Sequence, residues 1–150
     1  MGLRFTALRG ACATRALVAV VIGSVATVAG ATETFRIRLT PVPIEASTTA
    51  ATTGQGSATA QLDGTKLTLK GNFAGLKAAA TVARLHEGAV TGVRGPAIAD
   101  FNVPAAPSGS FTADVTLTAA QVESVRRGRV YVQIASASAP EGNLWGWLVP

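Results

Sequence analysis

Residues 57–73 read "SATAQLDGTKLTLKGNF", and their pattern decides the fold class. Apolar and polar residues alternate on both sides of Asp63-Gly64. In the return run Leu67 and Leu69 share one face, and Lys66, Thr68 and Lys70 share the other. A period of two is that of a half-buried strand. Asp-Gly between two such runs predicts a tight hairpin, with a type I′ turn in which both central residues take positive φ.

The same period recurs outward in both directions. "TFRIRLT" sets Phe35, Ile37 and Leu39 against Arg36, Arg38 and Thr40. "PVPIEASTTAATTGQG" follows and reads as a loop of prolines and small polar residues. "AATVARLHEG" is a further strand, ended by "GAVTGVRGP", where glycines and a proline forbid regular structure and a bulge or turn is expected. "AIADFNV" aligns Ala97, Ala99, Phe101 and Val103, and "SGSFTADVTL" aligns Phe111, Ala113, Val115 and Leu117.

One helix interrupts the strands. In "LTAAQVESVRRG" Thr118 is the expected N-cap and Gln121 completes a capping box, with Leu117 and Val122 as a hydrophobic staple. Gly128 stops the helix, and Arg126 and Arg127 complement its dipole. "RVYVQIASA" and "LWGWLV" close the chain as two strands, with "PEGN" as the expected turn between them. Seven to eight short antiparallel strands with one short helix predict an antiparallel β-sandwich, immunoglobulin-like or superoxide-dismutase-like.

The first 31 residues carry a different signal. Arg4, Arg9 and Arg15 precede the apolar run "ALVAVVIGSVATVAG", which closes on Ala29-Gly30-Ala31. This is the form of a signal peptide cleaved after Ala31, which leaves residues 32–150 as one domain and a periplasmic or secreted location. Thirteen basic residues less those three leave ten against eight acids, a net of +2. The high whole-chain charge therefore gives no support to nucleic-acid binding. Arg126, Arg127 and Arg129 form a basic cluster with no interleaved aromatics and read as a solvated helix end. No membrane contact is expected after cleavage. The single cysteine, Cys12, leaves with the signal, so the core must stabilise the fold without a disulfide.

The chain resembles the CHRD domain, named in chordin and widespread in exported bacterial proteins. The resemblance rests on "ARLHEGAVTGVRGPAIADF" and "SGSFTADVTLTAAQVESVRRGRVYVQIASASAPEGNLWGWL", with the hairpin "TAQLDGTKLTLKGNFAGL" fitting the family's first half. It covers about residues 35–150. It implies the fold and the location, and no reaction. The family's H-x-H pair is Arg84 and His86 here. The histidine after its Y-V-N-[IV] strand is Ala135, and its E-I-R-G-Q ending reads Asn143-Leu144-Trp145-Gly146-Trp147.

Chemistry has few carriers. A single histidine and no mature cysteine fall short of the three or four ligands a zinc site takes. No nucleophile elbow or P-loop is present. No catalytic residue, cofactor or metal is expected, and the chain reads as a non-catalytic binding or structural module. The alternative is a periplasmic metal-binding protein with a degenerate site at His86. The expected binding surface is Arg84, His86, Tyr131, Gln133, Trp145 and Trp147, facing an unknown protein or glycan partner or a second copy of the chain. If the Leu144 and Leu148 side faces the core, both indoles point outward, unless a loop or the proline-rich segment covers them. If the topology implied by the resemblance holds, the Arg84–His86 strand lies near the terminal strand, and Arg84 could then stack on Trp145 or Trp147 as a cation–π pair.

Overall fold

The computed structural model describes residues 30–42 and 49–150. The expected signal segment, Cys12 and most of the proline-rich loop lie outside the described residues. Eight strands and one helix follow in order: β1 (Glu33–Pro41), β2 (Gln55–Asp63), β3 (Lys66–Ala74), β4 (Ala80–Glu87), β5 (Ala97–Phe101), β6 (Gly109–Thr116), α1 (Ala119–Arg126), β7 (Val130–Ser136) and β8 (Ala139–Trp147). They form one antiparallel sheet in the order β5-β4-β7-β8-β1-β2-β3-β6.

The sheet bends at β1 into two layers, as the sandwich expectation requires. Residues Glu33–Leu39 pair with β2, whereas Thr40 and Pro41 pair with Trp145 and Leu144 of β8. Gly146 makes this corner possible, since a Cβ there would lie 2.4 Å from Ile37 Cγ2 and 2.7 Å from the Arg38 carbonyl. At the free edges, Phe101 of β5 and Phe111 of β6 pack with ring centroids 5.5 Å apart, so the sheet is nearly closed.

Alternation sorts the side chains. Phe35, Ile37 and Leu39 of β1, Leu67 and Leu69 of β3, Leu85 of β4, Val132 and Ile134 of β7, and Leu144 all point inward and are buried. Each fully buried Leu or Ile contributes about 1.5–3 kcal/mol of transfer free energy. Helix α1 closes one end with Val122 and Val125 buried. Its capping box is formed as expected: Gln121 N donates to Thr118 Oγ1 at 3.2 Å, and Thr118 N donates to Gln121 Oε1 at 2.8 Å.

Two turns differ from expectation. In the first hairpin Asp63 pairs with Lys66, so the central residues are Gly64 and Thr65 rather than Asp63 and Gly64. Gly64 has φ +57, and among the described residues no non-glycine residue has positive φ, the pattern of a type II′ turn. Thr65 could not take the second positive φ of type I′ without Cβ strain. In the last hairpin Ser136 pairs with Ala139, so the turn falls at Ala137-Ser138 and "PEGN" lies inside β8. The register shift between Ile134 and Ser136 absorbs the mismatch.

Candidate functional site

The central strand of one layer breaks the period-two burial rule: every residue from Val130 to Ser136 of β7 is buried. Val130, Val132 and Ile134 face the core. Tyr131, Gln133 and Ala135 face the other way and must be covered from outside. What covers them is the candidate site.

Register brings the expected residues together in two cross-strand rows. Arg84 of β4 aligns with Gln133 of β7, which aligns with Trp145 of β8. His86 aligns with Tyr131, which aligns with Trp147. All six side chains therefore sit on the outer face of β4-β7-β8, because residues two apart on a strand share a face.

The four rings form one cluster around Tyr131. His86 stacks on it with centroids 4.9 Å apart and planes 11° apart. Trp147 lies at 4.5 Å and Trp145 at 5.7 Å, and the two indoles meet edge-on at 5.6 Å. Such pairs contribute about 0.5–1.5 kcal/mol each beyond their area.

The loop between β4 and β5 folds back over this cluster. Its neck is closed by the Glu87 N–H donating to the Pro96 carbonyl at 3.0 Å. A Cβ on Gly95 would fall 1.8 Å from the Glu87 carbonyl oxygen, and one on Gly88 would fall 3.1 Å from the outer edge of Trp147. The glycines in "GAVTGVRGP" thus serve close approach of the loop to the sheet. The Gly95 N–H donates to the Tyr131 hydroxyl at 3.2 Å, and the Gly95 carbonyl lies 2.9 Å from His86 Nδ1. A carbonyl only accepts, so Nδ1 carries the imidazole proton. His86 Nε2 and Trp147 Nε1 are buried without a hydrogen-bond partner.

Pinning Gly95 places Arg94 at the mouth of a cleft of about 250 Å³, lined by Arg84, His86, Arg94, Tyr131, Gln133 and Glu141. The Glu141 carbonyl accepts from both Gln133 Nε2 at 3.1 Å and Arg94 Nη1 at 3.2 Å. The loop residues Gly95 and Arg94 were not among the site residues expected from sequence. Their signal was present in the glycine spacing, which alone reads only as a break in regular structure.

Three expectations change. Tyr131 and Gln133 are 1% and 6% exposed, so they support the face from beneath rather than present themselves to solvent. The indoles are half-buried, neither fully outward nor fully covered. Arg84 does not stack on either indole: its Nε pairs with Asp100 Oδ1 at 3.2 Å. The register explains this, because Gln133 stands between Arg84 and Trp145, a gap of two strand spacings or about 10 Å, while Asp100 is the direct partner of Arg84 on β5.

The runner-up metal reading gains nothing from the geometry. Among the described residues no three His, Cys, Asp or Glu side chains are grouped to hold an ion.

Fold and site together define an eight-stranded antiparallel sandwich with an aromatic cluster and two arginines on one outer face. The family model for the CHRD domain matches residues 25–148, and the chain belongs to that family. No curated protein and no solved structure matches the chain.

Proposed function

We propose that this chain is an exported, non-catalytic binding module that engages a protein or glycan partner through the outer face of β4-β7-β8. The single observation behind this reading is the ring cluster of His86, Tyr131, Trp145 and Trp147 set beside a cleft flanked by Arg84 and Arg94. Half-buried aromatics next to arginines are the residue types that dominate binding energy at recognition surfaces. Two buried polar atoms without partners, His86 Nε2 and Trp147 Nε1, mark the same place. A native fold keeps few such atoms, since each costs about 1–3 kcal/mol. Export rests on the basic, then apolar, then Ala-Gly-Ala order of the first 31 residues.

The test uses a feature of composition. Trp145 and Trp147 are the only tryptophans in the chain, so intrinsic fluorescence reports this face alone. Titration against a panel of oligosaccharides and of periplasmic and extracellular proteins should give a saturable emission change with at least one member. Arg94→Ala should weaken that response without lowering the unfolding midpoint. A folded protein whose emission answers to no panel member, or a response that Arg94→Ala and Trp145→Ala both leave intact, counts against the reading. Light scattering on the same samples separates partner binding from self-association.

A further inference from the structure

We propose a second binding surface on the opposite side of the molecule: the outer face of β1-β2-β3-β6 holds a linear anionic polysaccharide through Arg36, Arg38 and Lys70. This goes beyond the aromatic face and does not depend on it.

Alternation sends the polar half of four strands to one plane, and register arranges it in rows. Arg36 aligns with Thr59, Lys70 and Thr112. Arg38 aligns with Ser57, Asn72 and Ser110 in the next row. Thr34, Gln61, Thr68 and Asp114 make the row on the other side. Every side chain in these rows is polar. A shallow cleft of about 500 Å³ runs over their middle, with Arg36 at one side and Lys70 and Asn72 at the other.

Positive charge dominates this plane, with Arg36, Arg38, Lys66 and Lys70 set against Asp63 and Asp114. Ion pairs among the described residues join Lys66 to Asp114, Arg84 to Asp100, and Arg126 to Glu33 and Glu123. None engages Arg36, Arg38 or Lys70. Asp114, the one acid in the rows, sits in the corner farthest from the arginines and is held by Lys66 at 3.3 Å and Thr68 at 2.6 Å. Arg36 and Arg38 stand about 7 Å apart along β1, and Lys70 stands about 10 Å across two strands. Arg36, Arg38 and Lys70 form no ion pair, although Lys70 also acts at a distance on Asp114, and cations within roughly one screening length of their neighbours add their fields, so a ligand with repeated negative charge gains more than three separate anions would.

The material between the cations selects the kind of polyanion. Ser57, Thr59, Asn72, Ser110 and Thr112 offer hydroxyl and amide groups that can donate to and accept from sugar hydroxyls. No aromatic ring lies in these rows for base stacking, the usual grip on a single nucleic-acid strand. Among the described residues no helix or ribbon projects from the plane to enter a duplex groove. Among the described residues the large apolar side chains most exposed to solvent, Val90, Val93 and Val149, lie in the β4–β5 loop and after β8 rather than on this plane.

The experiment measures binding of the full chain to fluorescein-labelled polygalacturonate and dextran sulfate by anisotropy, with neutral dextran, single-stranded DNA and anionic phosphatidylglycerol vesicles as comparators. At low salt, about 50 mM NaCl, one or both anionic polysaccharides should bind and neutral dextran should not. Affinity should fall about tenfold or more when the salt is raised to about 300 mM, because exposed charges are screened. The Arg36→Ala/Arg38→Ala/Lys70→Ala variant should lose about tenfold or more. The charge-matched Lys77→Ala/Arg127→Ala/Arg129→Ala variant should stay within about twofold of wild type. Tryptophan emission should not change, since both indoles are on the other layer. Binding to dextran sulfate alone supports the proposal and narrows the charge to sulfate. The proposal is overturned if neither polysaccharide binds, if both triple variants lose equally, if DNA or vesicles bind more tightly, or if emission reports the polymer on the tryptophan face. Near-ultraviolet circular dichroism of the variants and the single Arg36→Ala variant guard against a folding artefact.

Discussion

The Gly95 backbone is clamped on both sides by the rings it covers: its N–H donates to the Tyr131 hydroxyl at 3.2 Å, and its carbonyl accepts from His86 Nδ1. Loop and sheet face are therefore one unit. The contact covers Tyr131, while Gln133 beside it is covered by the Glu141–Gly142 backbone.

Tyr131→Phe tests the clamp without disturbing the stack. The ring contacts with His86 and Trp147 remain, and the hydroxyl bond to Gly95 is lost. The expected loss is about 0.5–1.5 kcal/mol by denaturant unfolding, with faster hydrogen exchange at the Gly95 amide. Tyr131→Ala removes a 1% exposed side chain and should cost about 3–5 kcal/mol. Equal losses for the two variants would show that the rings contribute nothing.

Gly95→Ala and Gly64→Ala separate close approach from backbone freedom. The Gly64 site is open, with nothing within 4 Å of an added Cβ, so only its positive φ resists, at about 1 kcal/mol. At Gly95 an added Cβ meets backbone at 1.8 Å, and the loop must move. We expect a loss of 2 kcal/mol or more, roughly the upper part of the range for single substitutions, and a change in Trp147 emission that Gly64→Ala does not produce. An unaltered Gly95→Ala spectrum would mean the loop does not rest on the indole.

Metal addition should leave the unfolding midpoint where it is. A ligand at a hundred times its dissociation constant adds about 2.7 kcal/mol, which a thermal scan with excess Cu(II) or Zn(II) reads easily. With no group of three His, Cys, Asp or Glu side chains among the described residues to complete a site around His86, no rise is expected. A rise that His86→Ala abolishes would restore the metal reading.

Asp114 gives the pH dependence a sign. The Thr68 hydroxyl donating to it, and then Lys66, hold its carboxyl below the ordinary range. A carboxylate lowered on folding stabilises the native state above its unfolded value, and that contribution is lost as pH falls through the folded value. Acidification through and below the ordinary carboxylate range should therefore weaken the β3–β6 edge. Thr68→Val should raise the Asp114 titration midpoint, read by carbon-13 NMR, and flatten the acid limb of the stability curve. A midpoint unmoved by Thr68→Val would assign the shift to Lys66 instead.

What the sequence determined by itself is local. Period-two runs carry the strands because each strand presents one face to the core, and Thr118 with Gln121 marks the helix start because both partners of the capping box lie within one turn. The family signature is legible for the same reason, and the period of two puts Arg84 with His86, Tyr131 with Gln133 and Trp145 with Trp147 on shared strand faces. The turn register was not: Asp-Gly suits two hairpin types, and only the pairing of Asp63 with Lys66 chooses. Nor could sequence show that β1 joins both layers, that β7 is buried on both faces, or that Arg84 turns to Asp100 rather than to a tryptophan. These depend on which strands become neighbours. Strand order is settled by long-range packing of faces that look alike in one dimension, and a cation goes to the partner one strand spacing away rather than two.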